Sequence, residues 1–256
     1  MDFTLKIYRH LLEAILQADY CFFTFEEYCN QKASGKYIIL RHDVDLKANN
    51  SLETAKIEHE LGIKASYFFR VVPQSNQPDK IKAIADLGHE IGYHYEDLSL
   101  FKGDIEKSIL HFGQQLAYFR QFYPVKTICM HGSPTSKYDN RKIWETYNYR
   151  DYDIIGEPYF DFLNLENVLY FTDTGRCWDG DKYNVRDKRI GSNELNQPKF
   201  HSTAEFIEWI KNSQNQLSIM ITTHPQRWTN KPIEWFNEYW MQLLKNRIKK
   251  FLNKKR

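Results

Sequence analysis

The sequence of 256 residues has only four cysteines, Cys21, Cys29, Cys129 and Cys177, and no two of them form a Cys-x-x-Cys pair. This spacing excludes a zinc finger. The first residues contain no basic stretch followed by an apolar segment, so we predict no signal peptide. Without a secretion signal, the cysteines are expected to be reduced thiols and the protein to be cytoplasmic.

The sequence also lacks a long apolar run and an excess of charge of one sign. No segment has the length and hydrophobicity that a membrane-spanning helix requires. Thirty-five basic residues are balanced by 33 acidic ones, for a net charge of +2, so we predict no nucleic-acid partner. The basic tail at residues 245–256 is typical of a solvated helix end whose cations oppose the helix dipole.

What the sequence does contain is an alternation of strand and helix patterns, with 42% apolar residues to build a core. Runs of apolar and β-branched residues predict strands at 37–45, 65–72, 90–94, 125–130, 154–155, 168–171 and 217–223. Periodic apolar residues predict helices at 3–18, 50–62, 81–87, 105–119, 139–147, 202–210 and from Pro232 onward. The alternation predicts a parallel sheet, open or closed into a barrel, in a single domain over residues 1–256.

Three local features qualify this outline. Residues 20–28 are aromatic and fit neither pattern clearly. Asn50-x-x-Glu53 and Ser202-x-x-Glu205 have the form of capping boxes at helix starts. Residues 173–200 are rich in Gly, Asn and Asp and predict a long loop, which inside a compact domain is usually functional.

Two aspartates, Asp43 and Asp45, stand where the first predicted strand ends. Residues two apart in an extended chain share a face, so both carboxylates can point at one place. Two carboxylates at one place repel each other unless a cation or a shared proton relieves them. The pair therefore indicates a metal site or an acid/base pair, although a solvated turn with a helix cap would produce the same pattern.

Further Asp and His residues follow later strands. His94 ends the third predicted strand, His131 follows the fourth, Asp173 the sixth and His224 the last. The carboxyl ends of parallel strands are where α/β folds place their chemistry. Asp and His are ordinary ligands of a zinc-type cation that activates water, so the pattern predicts hydrolysis of an amide or ester.

Three segments resemble the NodB-type polysaccharide deacetylases, the carbohydrate esterases of family four. They are residues 41–45 (Arg-His-Asp-Val-Asp), 88–94 (Gly-His-Glu-Ile-Gly-Tyr-His) and 223–225 (Thr-His-Pro), within a likeness that runs from about residue 37 to 228. The resemblance implies a deformed (β/α) barrel of about seven parallel strands. It also implies a divalent metal ion, zinc or else cobalt or nickel, and removal of N-acetyl groups from an amino sugar or saccharide.

The resemblance also implies roles for residues at matching positions. Asp43 would be the general base and His224 the general acid, while Asp45 and His94 would bind the metal. The segment 172–178 is only loosely similar to the corresponding motif of the family. It offers Asp173 as a partner for His224.

Three further residues are candidates for contact with the substrate. In the segment 172–178, Arg176 could bind the substrate, and Trp178 could form a platform for the sugar ring. Tyr93 could line the pocket, but it could equally belong to the core. We expect His42 and His89 to be structural, since each faces away from a neighbouring site residue on an extended chain.

The sequence departs from the family pattern at two ligand or orienting positions. Leu98 stands where the second metal-binding histidine of the family would fall, and leucine cannot bind a metal. Glu96, Asp97 or His131 could replace it, and His131 is favoured because it also ends a strand. The family's arginine motif after the fourth strand is absent, and Arg41 could orient Asp43 instead if the first strand stays regular.

These departures leave two other functions open. The site could have decayed into a module that only binds a glycan or a partner, or it could open cyclic ureides as allantoinase-like relatives do. Without an export signal, an intracellular sugar precursor is a more natural substrate than assembled wall polymer. The sequence makes no prediction about the oligomeric state.

Overall fold

The structure, a computed structural model, describes residues 1–132, 136–163, 168–179 and 197–253. The strands are β1 (Cys21–Phe23), β2 (Tyr37–Val44), β3 (Ser66–Phe69), β4 (Glu90–Tyr95), β5 (Ile128–Met130), β6 (Val168–Thr172) and β7 (Ser218–Thr223). The helices are α1 (Leu5–Gln17), α2 (Phe25–Cys29), α3 (Ala48–Glu60), α4 (Pro78–Asp86), α5 (Asp97–Leu100), α6 (Ile105–Phe119), α7 (Pro158–Asp161), α8 (Thr203–Asn212) and α9 (Pro232–Asn253). Short 3₁₀ turns lie at Asn140–Glu145, Tyr149–Tyr152 and Pro225–Arg227.

All seven strands belong to one parallel sheet in the order β5-β4-β3-β2-β7-β6, with β1 also paired to β2. β2 is central, pairing β7 over residues 38–42 and β3 over residues 41–44. The sheet curls into a half-barrel, which confirms the predicted deformed (β/α) barrel. Parallel pairing places the carboxyl ends of β2, β4, β5 and β7 along one rim.

The strand β2 carries different chemistry on its two faces. Arg41 and Asp43 point to the inner face, where the Arg41 guanidinium binds the Asp43 carboxylate. His42 points to the outer face, where its Nε2 lies 2.8 Å from Oε1 of Glu58 on α3. The ring of His89 also reaches Glu58, at 3.5 Å, and both histidines are buried. The predicted structural role of His42 and His89 is confirmed.

Most residues of the segment 88–94 have a structural role. Gly88 ends the turn after α4 with a φ of 90°, a conformation that favours glycine. A Cβ atom on Gly92 would lie 2.4 Å from the ring of Phe68 on the neighbouring strand, so only glycine allows β3 and β4 to pack this way. Within this segment, only His94 lines the site pocket.

Several sequence predictions need correction. α3 begins at Ala48 rather than at a capping box, and the Nδ2 atom of Asn50 donates to the carbonyl of Trp228, 3.2 Å away. Residues 154–155 form no strand; the chain there makes only the isolated bridge of Thr127 with Gly156. The ambiguous residues 20–28 contain β1 and most of α2.

Other predictions hold. The side chain of Ser202 caps α8 by accepting a hydrogen bond from the backbone N–H of Glu205. The apolar periodicity at 105–119 matches α6, and α1 spans most of the predicted residues 3–18. Of the predicted loop 173–200, residues 173–179 and 197–200 are irregular or turns. Residues 180–196 lie outside the described residues.

A buried carboxyl group on β4 predicts how stability depends on pH. Glu90 accepts hydrogen bonds from the hydroxyls of Ser66 (2.5 Å) and Thr127 and from the N–H of Glu26. Burial raises the pKa of Glu90 from 4.5 to about 7. Between these two values the folded state holds a proton that the unfolded state has released, so the free energy of unfolding falls as pH rises through this window.

We expect Glu90→Gln to remove this dependence, because the amide stays neutral at every pH. Relative to the wild type, the variant should gain up to about 3 kcal/mol between pH 5 and pH 8. Denaturant unfolding at both pH values measures this gain. Glu53→Gln, at an exposed residue, is the control and should change nothing; equal pH slopes for Glu90→Gln and the wild type would contradict the prediction.

Candidate metal centre and acid–base site

A pocket of about 260 Å³ opens at the rim where the strands end. The site residues that line it are Asp43, Asp45, His94, His131 and His224. They come from four separate parts of the chain: the end of β2, the end of β4, the residue after β5 and the residue after β7. His131 continues the pairing of β5 with β4, since its N–H donates to the carbonyl of Tyr95 at 2.9 Å.

Three of these side chains surround one small space. The Oδ1 atom of Asp45 lies 3.3 Å from Nε2 of His131 and 3.7 Å from Nε2 of His94. One ligand atom from each of the three residues lies within 4.8 Å of the other two. These are the three residues that the sequence analysis selects as metal ligands, including His131 in place of the missing second histidine.

The two histidines present the correct nitrogen to this space. His94 donates from Nδ1 to the carbonyl of Cys129 at 2.9 Å, and His131 donates from Nδ1 to Oε2 of Glu96 at 3.0 Å. With the proton on Nδ1, the Nε2 lone pair of each ring faces Asp45. Burial lowers the pKa of His94 to about 4, which keeps the ring neutral and able to bind a cation near neutral pH.

The carboxylate of Asp45 has an unsatisfied oxygen. Its Oδ1 atom is buried, and no hydrogen-bond donor contacts it within the described part of the chain. Burial acts against ionisation, but His131, His224 and His94 together hold the pKa of Asp45 well below its usual range. A buried anionic oxygen facing two nitrogen lone pairs is the donor set of a divalent cation, so these residues fit a metal ion.

A second group of possible ligands, Asp43, His94 and Cys129, is also compact enough to hold an ion. It is the weaker candidate because both oxygens of Asp43 are already bound by Arg41. The Nε and Nη2 atoms of Arg41 donate to Oδ1 and Oδ2 of Asp43 at 2.8 and 2.6 Å. Burial opposes ionisation of Asp43, but the charge of Arg41 holds the pKa of that carboxyl below its usual value.

Arg41 thus occupies the orienting position that the sequence analysis suggests for it. Strand β2 stays regular, so residues 41 and 43 share a face and a bidentate pair forms between them. Arg41 is fully buried, and its Nη2 atom also donates to the hydroxyl of Tyr159 at 3.2 Å. Tyr159 is a pocket residue that the sequence analysis misses, because α7 carries no motif.

His224 also lines the pocket, beside the candidate ligand Asp45. Its Nδ1 atom lies 2.6 Å from Oδ1 of Asp173, and its backbone N–H donates to Oδ2 at 3.0 Å. Burial alone would raise the pKa of Asp173, but Arg227 and His224 hold it at about 2. The ionised Asp173 fixes the ring of His224, whose Nε2 atom lies 3.9 Å from Oδ2 of Asp45.

The alternative ligands Glu96 and Asp97 have other partners. Glu96 binds Arg70 through two hydrogen bonds of 2.8 Å and orients His131. Asp97 is buried, and its two oxygens bind the Tyr93 hydroxyl at 2.9 Å and the ring of His111 at 2.5 Å. Glu96 therefore acts on the candidate centre by orienting His131, and Asp97 takes no part in the centre.

None of the three predicted substrate contacts, Tyr93, Arg176 and Trp178, lines the pocket. Tyr93 is fully buried and its ring packs on α6, which is the core alternative. The indole Nε1 of Trp178 donates to Thr203 Oγ1 at 3.0 Å within an aromatic cluster. Arg176 lies against the ring of Trp235 on α9 and donates to the carbonyl of Arg227 at 3.1 Å.

Helix α9 contributes a wall of the pocket that the sequence analysis does not foresee. The residues of α9 that line the pocket are Glu238, Gln242, Lys245 and Lys249. Asn246, one turn beyond Gln242, holds the helix in place by donating to the carbonyl of Gly175 at 2.9 Å. The sequence does show polar residues about four apart along α9. Periodicity cannot show, however, which part of the protein the polar face of a helix contacts.

Within the described residues, no helix combines the length and apolarity needed to span a membrane. Comparison of the sequence with models of protein families and with curated proteins finds no match.

Proposed function

We propose that the protein is a metal-dependent hydrolase that removes an N-acetyl group from an amino sugar or saccharide. The observation that supports this most directly is the unsatisfied Oδ1 atom of Asp45 between the Nε2 atoms of His94 and His131. Beside it stand an ionised Asp43 and the Asp173–His224 pair. A cation site flanked by a separate base and acid suits hydrolysis of an unactivated amide.

Asp45, His94 and His131 would hold the divalent ion, zinc or else cobalt or nickel. When bound, the ion lowers the pKa of water and polarises the acyl carbonyl. Glu96 and the carbonyl of Cys129 fix the two rings so that each Nε2 atom stays directed at the site.

Asp43 would take the proton of the attacking water. One of its oxygens lies 3.7 Å from Nε2 of His94, so the carboxylate borders the ligand group without belonging to it. The bidentate contact with Arg41 restricts the carboxylate to one orientation and keeps it ionised. A base fixed in this way loses little entropy when the substrate binds.

His224 would protonate the amine that leaves. Its Nδ1 atom is held by Asp173, so the Nε2 atom carries the proton exchanged with substrate. The side chain of Asp173 is anchored further by Arg227 and by the indole N–H of Trp228 at 2.9 Å. Arg227 and Trp228 thus act on the acid through Asp173.

The size and lining of the pocket favour a small polar substrate. About 260 Å³ is below the usual range of drug-sized ligand sites, which suits a single amino-sugar unit. Polar and charged side chains dominate the lining, including Gln242 and Lys245 from α9. Together with the predicted cytoplasmic location, this favours a sugar precursor over assembled polymer.

The proposal is tested by measuring acetate release after metal reconstitution. Protein stripped with chelator and reloaded with Zn²⁺, Co²⁺ or Ni²⁺ should bind one ion per chain and release acetate from N-acetylated amino sugars. Loss of acetate release after chelation, with recovery on adding metal back, is the expected result. Absence of metal binding would favour a decayed binding module, and ring opening of cyclic ureides without acetate release would favour an allantoinase-like hydrolase.

A further inference from the structure

Helix α9 is amphipathic, but its buried side is polar and its exposed side is apolar, which is the reverse of an ordinary surface helix. Its buried positions are polar: Glu238, Gln242 and Asn246 are each less than 8% exposed. They recur every fourth residue and face the pocket and the carbonyl of Gly175. Near the start of the helix, Trp235 adds an anchor by donating from Nε1 to the carbonyl of Asp2 at 2.6 Å.

The opposite side of α9 is apolar and exposed. We call it the outer face, and its residues are Ile233, Phe236, Trp240, Leu244 and Ile248. Their exposed fractions run from 52% to 78%, and their spacing of three or four residues places them in one stripe. Removing such a stripe from water is favourable, so the outer face is suited to an apolar partner.

Exposed cations border this stripe. Arg247 and Lys250 are exposed on the last turns of α9, next to Leu244 and Ile248. Residues 245–256 contain seven Lys or Arg and no Asp or Glu, although the whole chain carries only +2. On the described residues of α9, the acids are Glu238, which is buried, and Glu234, which pairs with Lys231 at 2.9 Å.

We propose that the outer face of α9 docks the protein on an anionic membrane surface, with the helix lying in the plane of the interface. A helix with Trp, Phe and Leu on one side and basic residues at its border inserts its apolar side at the headgroup boundary. Anionic headgroups meet Arg247 and Lys250, and Trp240 suits the polar–apolar boundary.

A second copy of the chain fits this face less well. Two-fold pairing of outer faces would bring Arg247 and Lys250 onto a second copy of α9, where the acid that is not buried, Glu234, already pairs with Lys231. The cations would then lose water without gaining an anion, which is unfavourable. A lipid surface supplies both the apolar layer and the missing negative charge.

The test is co-sedimentation of the full chain with vesicles. We expect binding to phosphatidylcholine vesicles that contain roughly one-third phosphatidylglycerol, and at least about ten-fold weaker binding to phosphatidylcholine alone. Raising the ionic strength should weaken the binding as well. Equal binding to both vesicles, or binding to neither, would overturn the proposal.

Two variants separate the apolar and electrostatic contributions. The triple change Phe236→Ser, Trp240→Ser, Leu244→Ser should abolish vesicle binding, and Arg247→Glu with Lys250→Glu should weaken it about ten-fold or more. All five residues are exposed, so these variants should fold, which circular dichroism checks.

The control is Leu110→Ser, since Leu110 is an apolar residue of another helix, α6, and is 67% exposed. It should bind vesicles like the wild type. Full vesicle binding by the triple variant would overturn the proposal. So would a wild-type dimer, seen by light scattering, that the triple variant converts to monomer while vesicles bind neither form. Acetate release is measured separately, so failure of docking leaves the proposed hydrolysis unaffected.

Discussion

Replacing Asp43 with asparagine should lower the turnover number for acetate release by about 10³-fold, with metal content unchanged. The amide cannot accept a proton from water, while the candidate ligands Asp45, His94 and His131 keep their positions. The measurement is steady-state kinetics on metal-loaded protein, with the bound ion determined in the same sample. Full activity in the variant would show that Asp43 is not the base.

Stability must be followed alongside, because Asp43→Asn leaves the buried Arg41 guanidinium without its counter-ion. Breaking such a pair costs about 3 kcal/mol or more. The double variant Arg41→Gln, Asp43→Asn removes both charges, so it should recover stability and remain inactive. Asp97→Asn is the matched control: it changes a buried aspartate outside the pocket and should retain activity.

Removing the ring of His131 should weaken metal binding at least about 100-fold. His131→Ala removes one of the three candidate ligands. Only Asp45 and His94 of that group then remain to bind the ion. Competition with a chromophoric zinc chelator measures the affinity. Glu96→Gln changes the partner of His131 and of Arg70 but leaves all three ligands in place, so it should have a smaller effect of about 10-fold.

The same experiment distinguishes His131 from Leu98, the position at which the resemblance implies a second histidine ligand. Leu98 lies on α5, is buried and does not line the pocket, so adding Leu98→His to His131→Ala should not restore binding. His111→Ala is the control, since this histidine pairs with Asp97 and does not line the pocket. Unchanged metal affinity in His131→Ala would remove His131 from the ligand set.

The sequence predicts the fold and the convergence of the site well because both follow from strand periodicity. Asp43, Asp45, His94, His131 and His224 each stand at or just after the end of an apolar run, and parallel pairing brings such ends to one rim. Strand alternation likewise separates His42 from Asp43. These are local rules that a single sequence carries in full.

The substrate contacts could not be predicted in the same way. Tyr93, Arg176 and Trp178 have side chains that suit a core, a clamp or a sugar platform equally, and only tertiary packing decides among these roles. Their rings and guanidinium pack on α6, α8 and α9 instead of facing the pocket. The pocket wall formed by α9 depends on docking between distant segments, which periodicity does not describe.

The function and stability of the protein depend on which residues of β2 face each side of the sheet. Arg41 and Asp43 occupy odd positions on the inner face, while His42 occupies an even position against Glu58. Inserting or deleting one residue within β2 would turn His42 toward the pocket and bring the Asp43 carboxylate against the buried, like-charged Glu58. A one-residue insertion here should therefore abolish activity and folding together, whereas the largely exposed loop at residues 32–35 should tolerate the same insertion.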